Sequence, residues 1–510
     1  MKFNSRVKSG TTKTTNYEGG LAFKLDPITE LYTRVATCLV NEPKFYGETG
    51  DTESRILELI DIVSRKDPEF ILQLAKYARN KLYLRSIPIV LLGQAALKEA
   101  TKPFVKEYTS SIIKRADEPA EVISYIKSII GDIGDQTENT MLPNALRKGL
   151  NNALRNFNKY QFQKYSGKNN DVSMQDVFRL VHPKPRNEEQ RAVYKDIAKG
   201  TLEPADTWET YISENGSNKE TWEHIIPKMP IMAILRNLRN FIDHKCDLTV
   251  PMHKLRDEKT ILNSKQFPFR FYSAYKAIED HSNPDASLLM GALEDAMDIS
   301  IQNIPKTDGT TAVFTDNSGS MDVTVSEKSK VTNRMVGAIL GAIATKLTQK
   351  SISGVFGETF ANLNFSPRLS ILERAIKADG TDVGMATNAY LAFDYLIYNK
   401  IKVDRILLFS DMQCYDSNSG GRVYFGTNNS GMYGGYQSNS IHEQWNKYKK
   451  EINPNCYLYS FDLAGYGTSQ VPQGDPKVLL VGGWSENILK YIPYFERDSK
   501  TVIQEIRSGE

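Results

Sequence analysis

Near Ile304 the hydrophobic period of this 510-residue chain changes, and no single fold satisfies both periods. From about residue 25 to 300, apolar residues recur at three and four, as in RILELIDIV, EFILQLAKYARNKLYL, AEVISYIKSII and ALRKGLNNALRNF. That spacing builds amphipathic helices. Prolines and polar clusters at NEPKF, RSIPIV, VHPKPR and IPKMPIM interrupt them, so a long succession of short helices is expected, an α-solenoid of helical repeats rather than a four-helix bundle. Beyond Ile304, the runs TAVFTD, SISGVFG, RILLFSD, CYLYSFDL and KVLLVGG read as short strands, and many of them are separated by helical segments. Strand and helix in alternation predict a doubly wound, largely parallel α/β sheet whose ligands sit at the carboxyl ends of its strands. The expected organisation is therefore multidomain: an N-terminal arm over residues 1–20, a helical module over 21–304 and an α/β domain over 305–510.

Composition narrows the function classes. Hydrophobic residues make up 40% and charged residues 25%, values ordinary for a globular protein. No apolar run approaches the length of a membrane span. The polar, basic start MKFNSRVKSGTTKTTNYEGG lacks the apolar core of a secretory signal and reads as a loose arm, so a cytoplasmic protein is expected. Cys38, Cys246, Cys414 and Cys456 are scattered without a C-x-x-C pair, which argues for buried free thiols and against structural zinc. The net charge of +3 is unevenly placed: residues 141–200 hold 12 Lys and Arg against 5 Asp and Glu, whereas residues 301–510 hold 21 of each. An excess of that kind is a footprint for phosphate, or else a solvated helical face.

Directly behind the first predicted strand, TAVFTDNSGSMDV places Asp316, Ser318 and Ser320 in a D-x-S-x-S spacing. A carboxylate and two hydroxyls turned to one side offer only oxygen donors, which suits a hard cation such as Mg²⁺ better than zinc. LLFSDMQ ends a second strand in Asp411, and GTDVGMATN supplies Thr381 and Thr387 before a helix. This set resembles the metal-ion-dependent adhesion site of von Willebrand factor A domains, in which D-x-S-x-S is followed by a threonine and then an aspartate. Asp316, Ser318, Ser320 and Asp411 match that pattern. Thr387 is favoured for the threonine because it immediately precedes the helix leading to the Asp411 strand, although Thr381 stands in the more familiar GTD context. The resemblance implies a bound divalent cation that takes an anionic group from a partner, hence binding and no catalytic residues. An Asp/Ser helix cap is the plainer reading of the same residues. The Gly-, Asn-, Ser- and Tyr-rich segment from Asp416 to Ser440 is expected to be a mobile loop near this site.

In the helical part, Lys148, Arg155 and Lys159 fall at intervals of seven and four and are expected to line one face of a continuous helix, with Arg147 on a neighbouring face. The segments EFILQLAKYARNKLYLRSIP, MLPNALRKGL, VFRLVHPKP, WEHIIPKMPIMAILRNLRNF and FPFRFYSAYKAIE resemble the TROVE module of the Ro autoantigen family. With the A-type domain behind them, the whole order of parts matches that family.

The resemblance implies a ring of HEAT-like helix pairs closed by the A domain, acting as a monomeric ribonucleoprotein scaffold in RNA quality control or processing. It implies single-stranded 3′ ends of misfolded noncoding RNAs in the ring and Y RNAs on its basic outer surface. It also implies, from bacterial members, an exoribonuclease partner such as polynucleotide phosphorylase tethered through RNA. His182 and Lys184 match a His-x-Lys-Pro signature, where the imidazole can contact a phosphate or a base or can be purely structural. Arg79, Arg85, Arg236 and Arg239 accompany matched motifs as further RNA-binding candidates. The short N-terminal arm and the long segment after Asp411 depart from the family and make Y RNA binding less secure than RNA binding in general. Two other readings remain at this stage. A metal-dependent ribonuclease needs more clustered carboxylates than the motif supplies, and neither a P-loop nor a nucleophile elbow is present. A protein-binding scaffold without RNA would lack the salt dependence that phosphate neutralisation brings.

Overall fold

The computed structural model describes residues 13–15, 21–37, 51–130, 142–165, 171–325, 330–414, 440–464, 468–471, 475, 477–483, 489, 492, 496 and 502–509. The chain forms two compact units, one of residues 42–217 with 503–510, the other of residues 1–41 with 218–502.

The first unit is all-helical among its described residues. Helix Pro68–Asn80 starts with proline, whose fixed φ suits a first helical residue, and buries Phe70, Ile71, Leu72, Leu74, Ala75, Tyr77 and Ala78. Helix Ser86–Leu97 is apolar almost all round and is correspondingly buried on most sides. Helices Lys102–Ile112 and Asn144–Leu154 approach closely because Gly149 faces Thr109, and a Cβ at Gly149 would collide with that side chain. Next to them, Phe157, Phe162, Phe178 and Tyr194 pack edge to face with ring centroids 4.8–6.1 Å apart. This aromatic cluster fastens helices Met174–Val181 and Glu188–Lys199 to the turn that follows Leu154.

The second unit contains nine strands among its described residues: β1 Lys13–Thr15, β2 Leu21–Lys24, β3 Thr307–Asp316, β4 Thr348–Phe356, β5 Phe360–Leu363, β6 Arg405–Ser410, β7 Tyr457–Asp462, β8 Thr468–Ser469 and β9 Val478–Gly482. Six form one sheet in the order β5-β4-β3-β6-β7-β9, parallel except for the β4–β5 hairpin at its edge. Alternation along β3 covers both faces. Ala312 and Phe314 join a core with residues of helices Tyr390–Tyr398 and Ile441–Glu451, while Val313 and Thr315 lie beside Gly341 of helix Asn333–Leu347. Helices on both faces make this the doubly wound α/β layer expected from the sequence. Helices Ile231–Asp243, Thr249–Arg256, Pro268–Ile278 and Pro284–Ser300 belong to the same unit.

Lys13–Thr15 is not loose: it pairs antiparallel with β2, which in turn pairs with β8. The other residues of the predicted arm, and residues 416–439 of the predicted loop, lie outside the described residues. Cys246, Cys414 and Cys456 are free and buried. No helix of the described residues is long and apolar enough to cross a membrane.

Candidate metal centre and nucleic-acid interface

In the six-stranded sheet, β3 is followed on one side by β4 and on the other by β6, so the strand order reverses direction between β3 and β6. Such a switch point opens a crevice at the carboxyl ends of the strands. Asp316 ends β3 and Asp411 follows β6 directly, and both are fully buried. The Ser318 amide donates to Asp316 Oδ1 at 2.9 Å, turning the chain so that the Ser318 and Ser320 hydroxyls lie 3.2 Å apart. Ser410 donates to Asp316 Oδ2 at 2.6 Å and accepts from the Met412 amide at 3.1 Å. The Gln413 amide donates to Asp411 Oδ1 at 3.0 Å. Met412, between them, is buried with a left-handed backbone (φ 64°), and its carbonyl accepts from buried Gln470.

Three loops are laced together around these side chains. The Asn317 amide donates to Phe356 O, the Gly319 amide to Met385 O at 2.9 Å, and the Asn388 amide to Gly357 O. A Cβ at Gly319 would meet the terminal methyl of the exposed Met385 side chain, which is free to swing aside. Thr387 is buried in the loop held by these bonds. Thr381 lies nearer the surface and donates its hydroxyl to Lys377 O at 2.6 Å, closing the end of helix Ile371–Asp379.

Burial, and the neighbouring Asp411 charge after it, push the Asp316 carboxyl well above the usual carboxylate range. Two carboxylates removed from water beside one another, with serine hydroxyls adjoining, form an all-oxygen set that suits a hard divalent cation and would be relieved by one. Among the described residues no cluster of three or more His, Cys, Asp or Glu side chains offers an alternative metal site. Sequence reading missed Ser410 and Asn317, although both lie inside or next to the quoted motifs.

The basic residues of the helical unit are arranged differently from expectation. Lys148, Arg155 and Lys159 do not share a continuous helix: helix Asn144–Leu154 stops at Arg155 and a new helix runs from Lys159 to Tyr165. Phe157 turns inward to meet Phe162, and Asn158 and Gln161 cap each other's backbone amides at 2.9 Å, which begins the second helix. All three cations are nevertheless exposed and have no acidic partner among the described residues. Arg147 lies back on Asn144 Oδ1 at 3.0 Å.

The His182–Lys184 turn is drawn to the same place, because the Lys184 amide donates to Asn151 Oδ1 at 2.9 Å. His182 is exposed at the end of helix Met174–Val181 with φ 51°, its Nδ1 3.3 Å from Phe178 O. Gln190 fixes the turn from below. Its buried Nε2 donates to Arg155 O at 3.1 Å and Phe157 O at 2.9 Å, and its Oε1 accepts from the Arg186 amide at 2.9 Å. Burial pushes the Tyr194 hydroxyl up to about 12, and the guanidinium charges of Arg155 and Arg186 oppose that rise. The pattern Asn187-x-x-Gln190 carried the signal for this support. Exposed Tyr160, beside Lys159, adds a ring that sequence reading passed over.

The remaining arginines separate. Arg79 is corrected to a structural role: its guanidinium is inward, paired with buried Glu118 and donating to Ile112 O and Leu84 O, so it has no face for RNA. Arg85 is partly exposed and held by Asp117 and Glu121. Arg236 and Arg239 are exposed three residues apart on helix Ile231–Asp243, in the other unit.

Comparison with known proteins agrees with this picture. The family model of the TROVE domain matches residues 31–201 and 198–283. Telomerase protein component 1 of Rattus norvegicus is 25% identical over an alignment of 333 residues that takes in 49% of this chain and 12% of that protein, and its Mus musculus counterpart matches to the same extent. The chain thus corresponds to about an eighth of the length of these relatives. The crystal structure of the Deinococcus radiodurans RO (RSR) protein superposes with a TM-score of 0.62 at 14% identity, covering 92% of this chain and 100% of that one, a likeness of fold. With a TROVE domain in its helical part and an α/β domain behind it, the chain belongs to the Ro family.

Proposed function

We propose that this chain is a noncoding-RNA-binding protein that holds single-stranded 3′ ends of structured or misfolded RNAs, and Y-like RNAs, as a scaffold in RNA quality control. Proteins of the Ro family bind RNA. The observation that carries the reading here is the exposed group Lys148, Arg155, Lys159 and Lys184, without acidic partners among the described residues and held in place by Asn151 and Gln190. Cations without an acidic partner among the described residues are free to displace counterions from phosphate, and Tyr160 and His182 beside them can stack on or bond to unpaired bases. An exoribonuclease tethered through the same RNA is the partner this scaffold implies. In the α/β domain, Asp316, Ser318, Ser320, Thr387 and Asp411 hold a divalent cation, Mg²⁺, which supplies a point of attachment for an anionic partner group.

The test compares a structured RNA carrying a single-stranded 3′ tail with the same RNA blunt-ended, across a salt series. Tail-dependent binding that weakens with salt, and weakens with a shallower salt slope when Lys148, Arg155 and Lys159 are replaced by alanine, supports the reading. Absence of binding at low salt overturns it.

A further inference from the structure

We propose that Tyr83 is a base-stacking residue for single-stranded RNA, at a site separate from the lysine and arginine group described above; this rests on the RNA-binding reading. Tyr83 sits between helices Pro68–Asn80 and Ser86–Leu97 with a left-handed backbone, φ 58°, and is 63% exposed. A bulky residue with positive φ is strained, and glycine or asparagine would occupy the position at less cost. Everything around the ring enforces the conformation. Leu82 and Leu84 on either side are buried, the Lys81 amide donates to Tyr77 O at 2.8 Å, the Leu84 amide to Ala78 O at 2.9 Å, and Arg79 donates to Leu84 O at 3.1 Å. The Tyr83 side chain itself has no hydrogen bond or ring contact among the described residues, so the ring contributes nothing evident to the fold. Strain held in place around a side chain without a structural task is a mark of a ligand site.

The neighbouring loop supplies the chemistry that single-stranded RNA needs. Arg79 also donates to Ile112 O at 3.2 Å, and its partner Glu118 accepts from the Lys114 and Arg115 amides, which brings the two loops side by side. Asp117 takes Arg115 through Nε at 2.9 Å and through a terminal nitrogen at 2.6 Å, and Arg85 reaches the same carboxylate oxygen at 3.5 Å. The Arg115 guanidinium lies 4.3 Å from the centroid of the Tyr165 ring. A guanidinium plane fixed on one face by an aromatic ring and along its edge by a carboxylate is a second stacking surface, and exposed Lys114 adjoins it for phosphate. The ligand class is therefore an unpaired stretch of RNA with one base on Tyr83 and another at Arg115.

The experiment measures binding of a short unstructured oligoribonucleotide, and of the same oligomer with abasic residues, to the full chain and to Tyr83→Gly, Tyr83→Phe and the Lys148→Ala/Arg155→Ala/Lys159→Ala variant, with a melting temperature for each. Tyr83→Gly is expected to weaken the base-bearing oligomer roughly tenfold, the loss of one stack. It should leave the abasic oligomer unaffected and the melting temperature unchanged or higher, while Tyr83→Phe binds as the wild type. Unchanged affinity in Tyr83→Gly, a lowered melting temperature, or equal losses in the glycine and phenylalanine variants overturns the proposal. If the wild type binds and the triple variant alone is impaired, only the Tyr83 site falls; if the wild type binds no oligomer, the RNA-binding reading falls with it.

Discussion

Gln190→Leu removes the amide that supports the turn bearing Arg155 while keeping the buried volume close to native. Gln190 Nε2 makes two well-formed hydrogen bonds, to Arg155 O at 3.1 Å and Phe157 O at 2.9 Å, and stands 3.5 Å from Leu154 O. Arg155 O stands at the end of helix Asn144–Leu154, where carbonyls lack intrahelical partners, and Phe157 O lies in the turn beyond it. A buried carbonyl stripped of its donor costs about 1–3 kcal/mol. Arg155 and Asn156 are exposed, so part of that cost is recovered by water, and the expected destabilisation is roughly 2–4 kcal/mol. Because the chain has two compact units, a single unfolding free energy is not the right quantity. Amide hydrogen exchange over residues 153–165 and 182–190 reads the local opening directly. Faster exchange there, with a matching loss of RNA affinity, is the expected result. Exchange unchanged from wild type in Gln190→Leu would refute the reasoning, because it would mean that water already satisfies the turn and that Arg155 is not held from below.

Three further outcomes are expected. Burial raises Asp394 to about 6, with Lys447 opposing, so the folded state holds that proton more tightly than the unfolded chain. Stability should therefore fall as pH rises from about 4 through 6, by about 2–3 kcal/mol at most, and Asp394→Asn should remove the fall, as thermal melts across pH would record. Gly149→Val forces a clash with Thr109, costs about 1–3 kcal/mol and lowers RNA affinity by shifting Lys148, measurable by urea denaturation and RNA titration. In a Mg²⁺ titration followed by melting temperature, Thr387→Ala should lose most of the response and Thr381→Ala should keep it, since the Thr381 hydroxyl is engaged by Lys377 O.

The features legible in the sequence were those with a short-range signature. The change of period at Ile304 marks the onset of the sheet, and D-x-S-x-S behind β3 follows directly from a strand ending at Asp316. The short antiparallel strand β5 gave no such signal, since Phe360–Leu363 has only four residues and takes its place from pairing with β4. Spacing alone failed at Lys148, Arg155 and Lys159, because an inward phenylalanine and a capping asparagine break a helix that the period would continue. Arg79 shows the converse limit. Its motif gives no hint that a guanidinium will turn inward, since its partner Glu118 lies 39 residues away.

Helix Ile371–Asp379 is gripped at both ends. Asn317, inside the D-x-S-x-S turn, donates its side-chain amide to Ala378 O at 2.7 Å and Thr381 O at 3.0 Å, while at the other end Asp298 of helix Pro284–Ser300 accepts the Ile371 amide at 2.9 Å and Glu294 accepts from Ser370. The far anchor of this helix thus belongs to residues that precede the six-stranded sheet in the chain. A fragment beginning at residue 305 would keep every residue proposed to hold a cation and lose the clamp on the helix beside them, so a Mg²⁺ titration of such a fragment is expected to show weaker binding than the same titration of the full chain.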